Sequence, residues 1–526
     1  MRVSLQLATY LLILQHQYNT LNGKLYVIKR LLLNFGIHSK TKNGRDMKTI
    51  RIIMTLFAGI CLLSSCSRTD NYDEAFSGID LKALAATPAV IVVTPDGDDD
   101  TPALSQAFAD AKAAGAGSVV QLIAGEYHLG LMEVRDFCGS LTGAGMDETF
   151  ITVRNDLDVQ SLWDLGEGGD LVKFVGGDVH LSNFTIRAPE GRLSISGPAN
   201  GIIRSLFNFS VSNAQYEPGN EDRSINVVID NVRLQGQLLE GGVGYNKGYN
   251  CYMAMRAGHD QPWGTDIPRQ KINFKITNSV FDTFCYGLVL ETMKNGRIIM
   301  GETGRGNSFS NIDQTSGVWE SRNMEITIEG NTFNIPEFSW GLDLDDYPYY
   351  TARLRAEPQT KAMIFNIQNN VFNLTHSEYA FMVRNLRRRD FPAEPYALFQ
   401  VKNNQFNMTD GYPWCIYVVR TKGMVIRNNR CSGYGDVALY IVTSENGLIL
   451  GNSFSTAEFT TAPLFLASTT KDWTVVGGSS TDQVIDLGTN NIIKGFSAKD
   501  SDVPFGQTVV DNLRTMKEAI HELKDR

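Results

Sequence analysis

The sequence predicts an all-β chain wound as a parallel β-helix, and two observations carry that reading. The first is a recurring phrase: ArgGlyAsnSerPhe at 305–309, GluGlyAsnThrPhe at 329–333, GlnAsnAsnValPhe at 368–372, LysAsnAsnGlnPhe at 402–406, ArgAsnAsnArgCys at 427–431 and LeuGlyAsnSerPhe at 450–454. From Asn307 through Asn331, Asn370, Asn404, Asn429 and Asn452 the steps are 24, 39, 34, 25 and 23 residues. A period near two dozen, lengthened by insertions, is the mark of a solenoid. The second observation is the grammar inside each repeat: a strand-like run such as 325–328, the asparagine corner, then a second run such as 340–345. Apolar residues fall at alternate places, with no helical period between the runs.

Asparagine suits the corner because it tolerates left-handed backbone and its amide can bond to the same asparagine one coil away. The phenylalanine two places on is expected to stack inside. Looser copies around Asn183, Asn231 and Asn278 extend the pattern toward the N-terminus.

Length (526 residues), 43% hydrophobic residues and 48 glycines fit a large body with many turns and a continuous core. A formal net charge of −9 argues against nucleic acid as a partner.

Taken in order, 1–46 reads as a mis-called start, with Met47 the true initiator. Residues 47–66 form a signal: Lys48 and Arg51, the apolar run Ile52–Leu63, then LeuSerSerCys ending at Cys66. This stretch resembles a bacterial lipoprotein signal, which implies that Cys66 is acylated and holds the mature chain to a membrane. The cell envelope, the outer membrane and its outer surface, is the expected location. Polar, acidic 67–86 reads as a tether.

The β-helix domain is placed at 87–496, and its start has its own text. A strand from Val90, the turn ProAspGlyAspAspAsp, a helix opening near Thr101 with Pro102 in first position, and a strand ending GlyGluTyr at 125–127 follow in order. With LeuThrGlyAlaGly at 141–145, this resembles the N-terminal cap and first coil of the pectate-lyase-like superfamily. That resemblance implies a right-handed parallel β-helix closed by a cap helix; it implies no particular reaction. Asp98–Asp100 read as acidic charge at a helix N-terminus.

Residues 497–526 form a tail in which Val509, Leu513, Met516, Ile520 and Leu523 share one face of a C-terminal amphipathic helix, 509–524, that would cover the last coil. Of seven cysteines, five remain after Cys61 and Cys66. They show no metal-ligand spacing, and Cys431, in a phenylalanine's place, reads as core.

Candidate chemistry gathers on the second strands. Aligned by their corners, they put Met253 and Met255, Leu288 and Leu290, Leu342 and Leu344, Phe381 and Val383, and Leu439 and Ile441 inward. Arg256, Glu291, Asp343 with Asp345, Arg384, Tyr417 and Tyr440 then point outward. Insertions after these strands bring His259 and Trp263, then Tyr347, Tyr349 and Arg353, then Arg387. Rings stack on sugars and arginines pair with uronate or sulfate groups, so an anionic polysaccharide is the expected substrate.

Two enzyme readings stand. In an inverting hydrolase Asp343 and Asp345, about 7 Å apart on one strand face, fit the roughly 6.5–9.5 Å spacing of acid and base. In a lyase Arg256 and Arg384 would neutralise a uronate, with calcium held by Glu291 and Asp345. The Asn-Thr-Asp, His-Gly and Arg-Ile-Lys signatures of polygalacturonases are lacking, so that family's catalytic residues do not carry over. The alternative is a non-catalytic glycan-binding surface lipoprotein. A monomer is expected.

Overall fold

The computed structural model describes residues 88–154, 157, 169–190, 203–211, 224–238, 249–258, 270–319, 321–345, 360–384, 397–479 and 484–497. The signal, Cys66, the tether, and the 509–524 helix lie outside them.

Parallel ladders join each strand to its counterpart one coil on, which makes the chain a β-helix. One coil shows the plan. Glu325–Glu329, Thr332–Ile335 and Trp340–Asp345 pair respectively with Ile364–Gln368, Val371–Leu374 and Tyr379–Arg384. Those pair in turn with Leu398–Lys402, Gln405–Thr409 and Trp414–Val419. Coils continue to Ile492–Ser497.

The asparagine phrase works in two parts, and the sequence reading needs one correction. The repeated asparagines build a buried ladder: the side-chain amides of Asn307, Asn331, Asn370, Asn404 and Asn429 each donate to the Oδ1 of the next, at 2.9–3.0 Å. Each also donates to a main-chain carbonyl, such as Asn404 to Ile367 at 3.0 Å. The left-handed residue, however, is the one before: Gly330, Asn369, Asn403, Asn428 and Gly451 carry φ between 54° and 71°. A ladder asparagine in that conformation would turn its amide away from the carbonyls it now satisfies, so the two tasks are divided between neighbours.

Inside, Phe281, Phe309, Phe333, Phe372 and Phe406 stack with centroids 4.5, 5.0, 4.8 and 5.1 Å apart. Cys431 continues the column opposite Phe406 and is buried, as its place in the phrase predicts. Rings in such contact contribute about 0.5–1.5 kcal/mol per pair beyond their buried area.

The cap helix spans Thr101–Ala114 with Pro102 in its first turn. Its buried face, Leu104, Ala107, Phe108 and Ala111, closes the first coil, with Phe108 set edge-on to Phe137 at 5.0 Å and Phe174 at 5.8 Å. The aspartates before it are structural. Asp99 accepts from the Thr101 amide at 3.0 Å and pairs with Arg154. Asp100 accepts the Asp96 and His128 amides at 2.9 and 2.8 Å.

Candidate active site on one sheet face

The second strands carry the inward residues the sequence predicts: Met255, Leu288, Leu290, Leu342, Leu344, Phe381, Val383, Leu439 and Ile441 are all at most 1% exposed. Their outward neighbours form two columns. One runs Arg256, Val289, Gly317, Asp343, Met382, Tyr417, Tyr440, Phe465. The other passes from Glu291 to Trp319 and, two coils on, from Asp345 to Arg384 and Val419. Arg256 therefore stands opposite Val289 and not Glu291, a two-residue shift from the corner alignment. The coil around Gly317–Trp319, which fits the repeat poorly in sequence, pairs with its neighbours throughout.

The larger correction concerns solvent. These residues point away from the core but do not form an open stripe: Arg256 is 1% exposed, Glu291 4%, Asp343 7% and Asp345 0%. Part of the cover comes from the face itself. Gly317 has no side chain, and the Trp319 ring lies across it so closely that a Cβ there would meet the indole at 2.3 Å. That fold-back brings Trp319 to 6.3 Å from the Tyr286 ring.

Arg384 is the link between the carboxylates. Its Nη2 donates to Asp343 Oδ2 at 2.7 Å, while its Nε lies 3.3 Å from Asp345 Oδ2. The arginine is 21% exposed, Asp345 not at all, so Asp345 sits behind it. Burial pushes the Asp343 carboxyl above the usual carboxylate range; Arg384 and the Trp319 indole pull against that without cancelling it. The other Asp343 oxygen, Oδ1, has no hydrogen-bond partner. A carboxyl whose proton is held more tightly than usual, fixed through one oxygen, has the makings of a proton donor.

Glu291 is also raised by burial, with Arg256 and Arg204 opposing. Arg256 lies 3.8 Å from it, and none of the Arg256 guanidinium nitrogens makes a hydrogen bond. Among the described residues its donors face only the Glu291 carboxylate, beyond hydrogen-bond reach, so they can still take an anion.

The structure thus brings Asp343, Asp345 and Arg384 into direct contact and joins Arg256 to Glu291 in a second pair. Calcium at Glu291 and Asp345 is not supported: each faces an arginine, and among the described residues no three or more ligand side chains converge. His259, Trp263, Tyr347, Tyr349, Arg353 and Arg387 lie outside the described residues.

Tyr417 belongs to a wider aromatic surface that the sequence reading mostly missed. It stacks on Tyr440 at 5.4 Å and meets Trp414 edge-on at 5.2 Å, and Phe465 lies 5.0 Å from Tyr440. Trp340 and Tyr379 stack at 6.3 Å in the column that leads to Trp414. A signal was present: Trp340 and Tyr379 each stand nine residues after a ladder asparagine, Asn331 and Asn370, and Trp414 ten after Asn404.

No family model matches the chain, and no curated protein sequence matches it. Solved structures do. The A-module of a mannuronan C-5 epimerase from Azotobacter vinelandii is 12% identical with a TM-score of 0.38, over 77% of this chain and 97% of that one. The pre-mature gene product 12 of bacteriophage phi29 is 15% identical with a TM-score of 0.43, over 71% and 46%. A family 28 exopolygalacturonase from Yersinia enterocolitica is 9% identical with a TM-score of 0.42, over 79% of each. Likenesses this distant assign no reaction to this chain.

Proposed function

We propose that this protein is an envelope-anchored enzyme that hydrolyses an anionic polysaccharide on the Asp343 face. The observation that carries the reading is the Asp343–Arg384–Asp345 cluster: a carboxyl raised by burial and a second, buried carboxylate on the same strand face, joined by one partly exposed cation. Asp343 donates the proton to the leaving oxygen. Arg384 turns to the anionic group of the substrate, and Asp345, uncovered by that movement, activates the water, as the second carboxylate of an inverting pair does. The aromatic surface around Trp414, Tyr417 and Tyr440 stacks the sugars on the C-terminal side.

Elimination is the second reading, and Arg256 favours it. Its guanidinium, which lies 3.8 Å from Glu291 without a hydrogen bond to it, suits a uronate carboxylate whose charge must be neutralised before the neighbouring proton can leave.

The acid role has a pH signature. A carboxyl with a raised pKa stays protonated to higher pH, so kcat/KM falls as pH rises through the Asp343 value. Arg384 holds that value down. Arg384→Gln is therefore expected to shift the alkaline limb of the profile upward while lowering its maximum; an alkaline limb that stays in place removes Asp343 as the acid.

Azide tests the base. In Asp345→Asn, added azide is expected to restore cleavage with a glycosyl azide as product, and in Asp343→Asn it does not. Failure of rescue in the first, with activity intact otherwise, removes Asp345 from the base role.

The lipid anchor is proposed on the signal ending at Cys66. Cells fed labelled fatty acid are expected to label the protein, and Cys66→Ala to release it from the membrane fraction; unlabelled, membrane-free wild type overturns the anchor.

A further inference from the structure

Away from the carboxylates, at the opposite end of the same strands, four rings stand in line on successive coils. They are Phe338, His376, Tyr412 and Tyr434. Phe338 meets His376 edge-on at 5.0 Å, His376 stacks on Tyr412 at 4.7 Å, and the Tyr434 ring lies over Gly411, where a Cβ would come within 2.7 Å of it. Exposure is high: 61% for Phe338, 49% for Tyr412 and 44% for Tyr434.

Two features set this strip apart from ordinary surface. Phe338 and His376 both hold left-handed backbone, with φ of 56° and 45°. Eleven of the nineteen non-glycine residues described with positive φ are asparagines, and histidine is also at home there; the phenylalanine at 338 is the bulky ring that is strained. The fold gains little from this ring, since 61% of it remains in water. Strain retained together with an exposed apolar group points to a ligand. Within the strip Asp410 is held by His376 Nδ1 at 2.7 Å and by the Tyr412 amide at 3.3 Å, while the exposed carboxylates Glu337, Glu378 and Glu458 flank the rings.

We propose that this strip is a second glycan-binding platform, separate from the carboxylate cluster, which holds the uncharged faces of pyranose sugars in a polysaccharide. Four rings one coil apart extend about 15 Å, long enough for a short run of sugars; exposed ring faces stack on sugar C–H faces, and the flanking carboxylates disfavour the anionic groups of the polymer at this place. Five residue steps lead from Phe338 to Asp343, at most about 16 Å, so the platform retains the polymer while the cluster acts on it. This rests on the glycan reading above and adds a site to it.

The test compares wild type with the double variant Phe338→Asn/Tyr412→Ala, using gels that contain the cleaved polysaccharide and short oligosaccharides from it. Asparagine keeps the left-handed corner, so the variant is expected to unfold at the wild-type temperature. Retention by the polymer is expected to weaken at least tenfold, with turnover of the short oligosaccharides unchanged. Equal retention overturns the platform and leaves the enzyme reading in place. Loss of stability in the variant makes the strip structural, and a wild-type dimer that the variant turns into monomer makes it a contact between copies; either overturns the proposal. If wild type neither binds nor cleaves any polysaccharide, both readings fall together.

Discussion

Asp343→Asn is expected to lower polysaccharide cleavage by about 10²–10⁴-fold while the protein remains folded. Asparagine has the shape of the acid but no proton to give. The variant should fold well because burial already disfavours the charged form of Asp343, so a neutral replacement keeps what the site tolerates. Its side-chain oxygen still accepts from Arg384, and Asp345 still balances that charge. An Asp343→Asn protein that cleaves at the wild-type rate removes the residue from the chemistry. One that fails to fold shows that Arg384 needs both carboxylates, and Asp343→Glu then separates the roles by restoring the charge at a shifted position.

Asn404→Ala is expected to give the largest loss of stability. Asn404 Oδ1 accepts from both the main-chain and side-chain nitrogens of Asn370, at 3.1 and 3.0 Å. Its own amide donates to Ile367 O and Asn429 Oδ1, each at 3.0 Å. Alanine removes all these bonds and leaves the Asn370 N–H and the Ile367 carbonyl buried without partners. At about 1–3 kcal/mol for each orphaned group, a loss of about 3–5 kcal/mol follows. Asn403→Ala, one residue earlier, loses an exposed bond to Asn369 at 3.2 Å and trades asparagine for alanine at a φ of 57°; about 1 kcal/mol is expected there. Urea titration of both variants checks the order, and equal losses would deny the ladder its role.

The fold was legible because its cause is repeated. Six copies of one phrase specify the ladder and the stacked rings, and no single copy has to be trusted. The site was legible in composition more than in register. Alignment by corners placed Arg256 beside Glu291, although the pairing sets it beside Val289. A two-residue slip keeps every inward residue inward, so the apolar pattern had no power to reveal it. Burial was illegible for a related reason: outward direction on a strand is set by period, while cover depends on neighbours such as Trp319, whose ring reaches across Gly317. The strip at Phe338 escaped notice because Phe338, His376 and Tyr412 sit in the turns, where spacing varies and no period-two pattern applies.

The account is tested most directly by incubating the full mature chain with a panel of acidic polysaccharides and reading new reducing ends together with the ultraviolet absorbance of unsaturated uronates. The prediction is reducing ends without absorbance on one acidic polymer, abolished by Asp343→Asn. Absorbance rising in step with reducing ends would replace hydrolysis by elimination at Arg256, and silence in both signals, with a polymer still retained, would contradict catalysis and leave a binding protein.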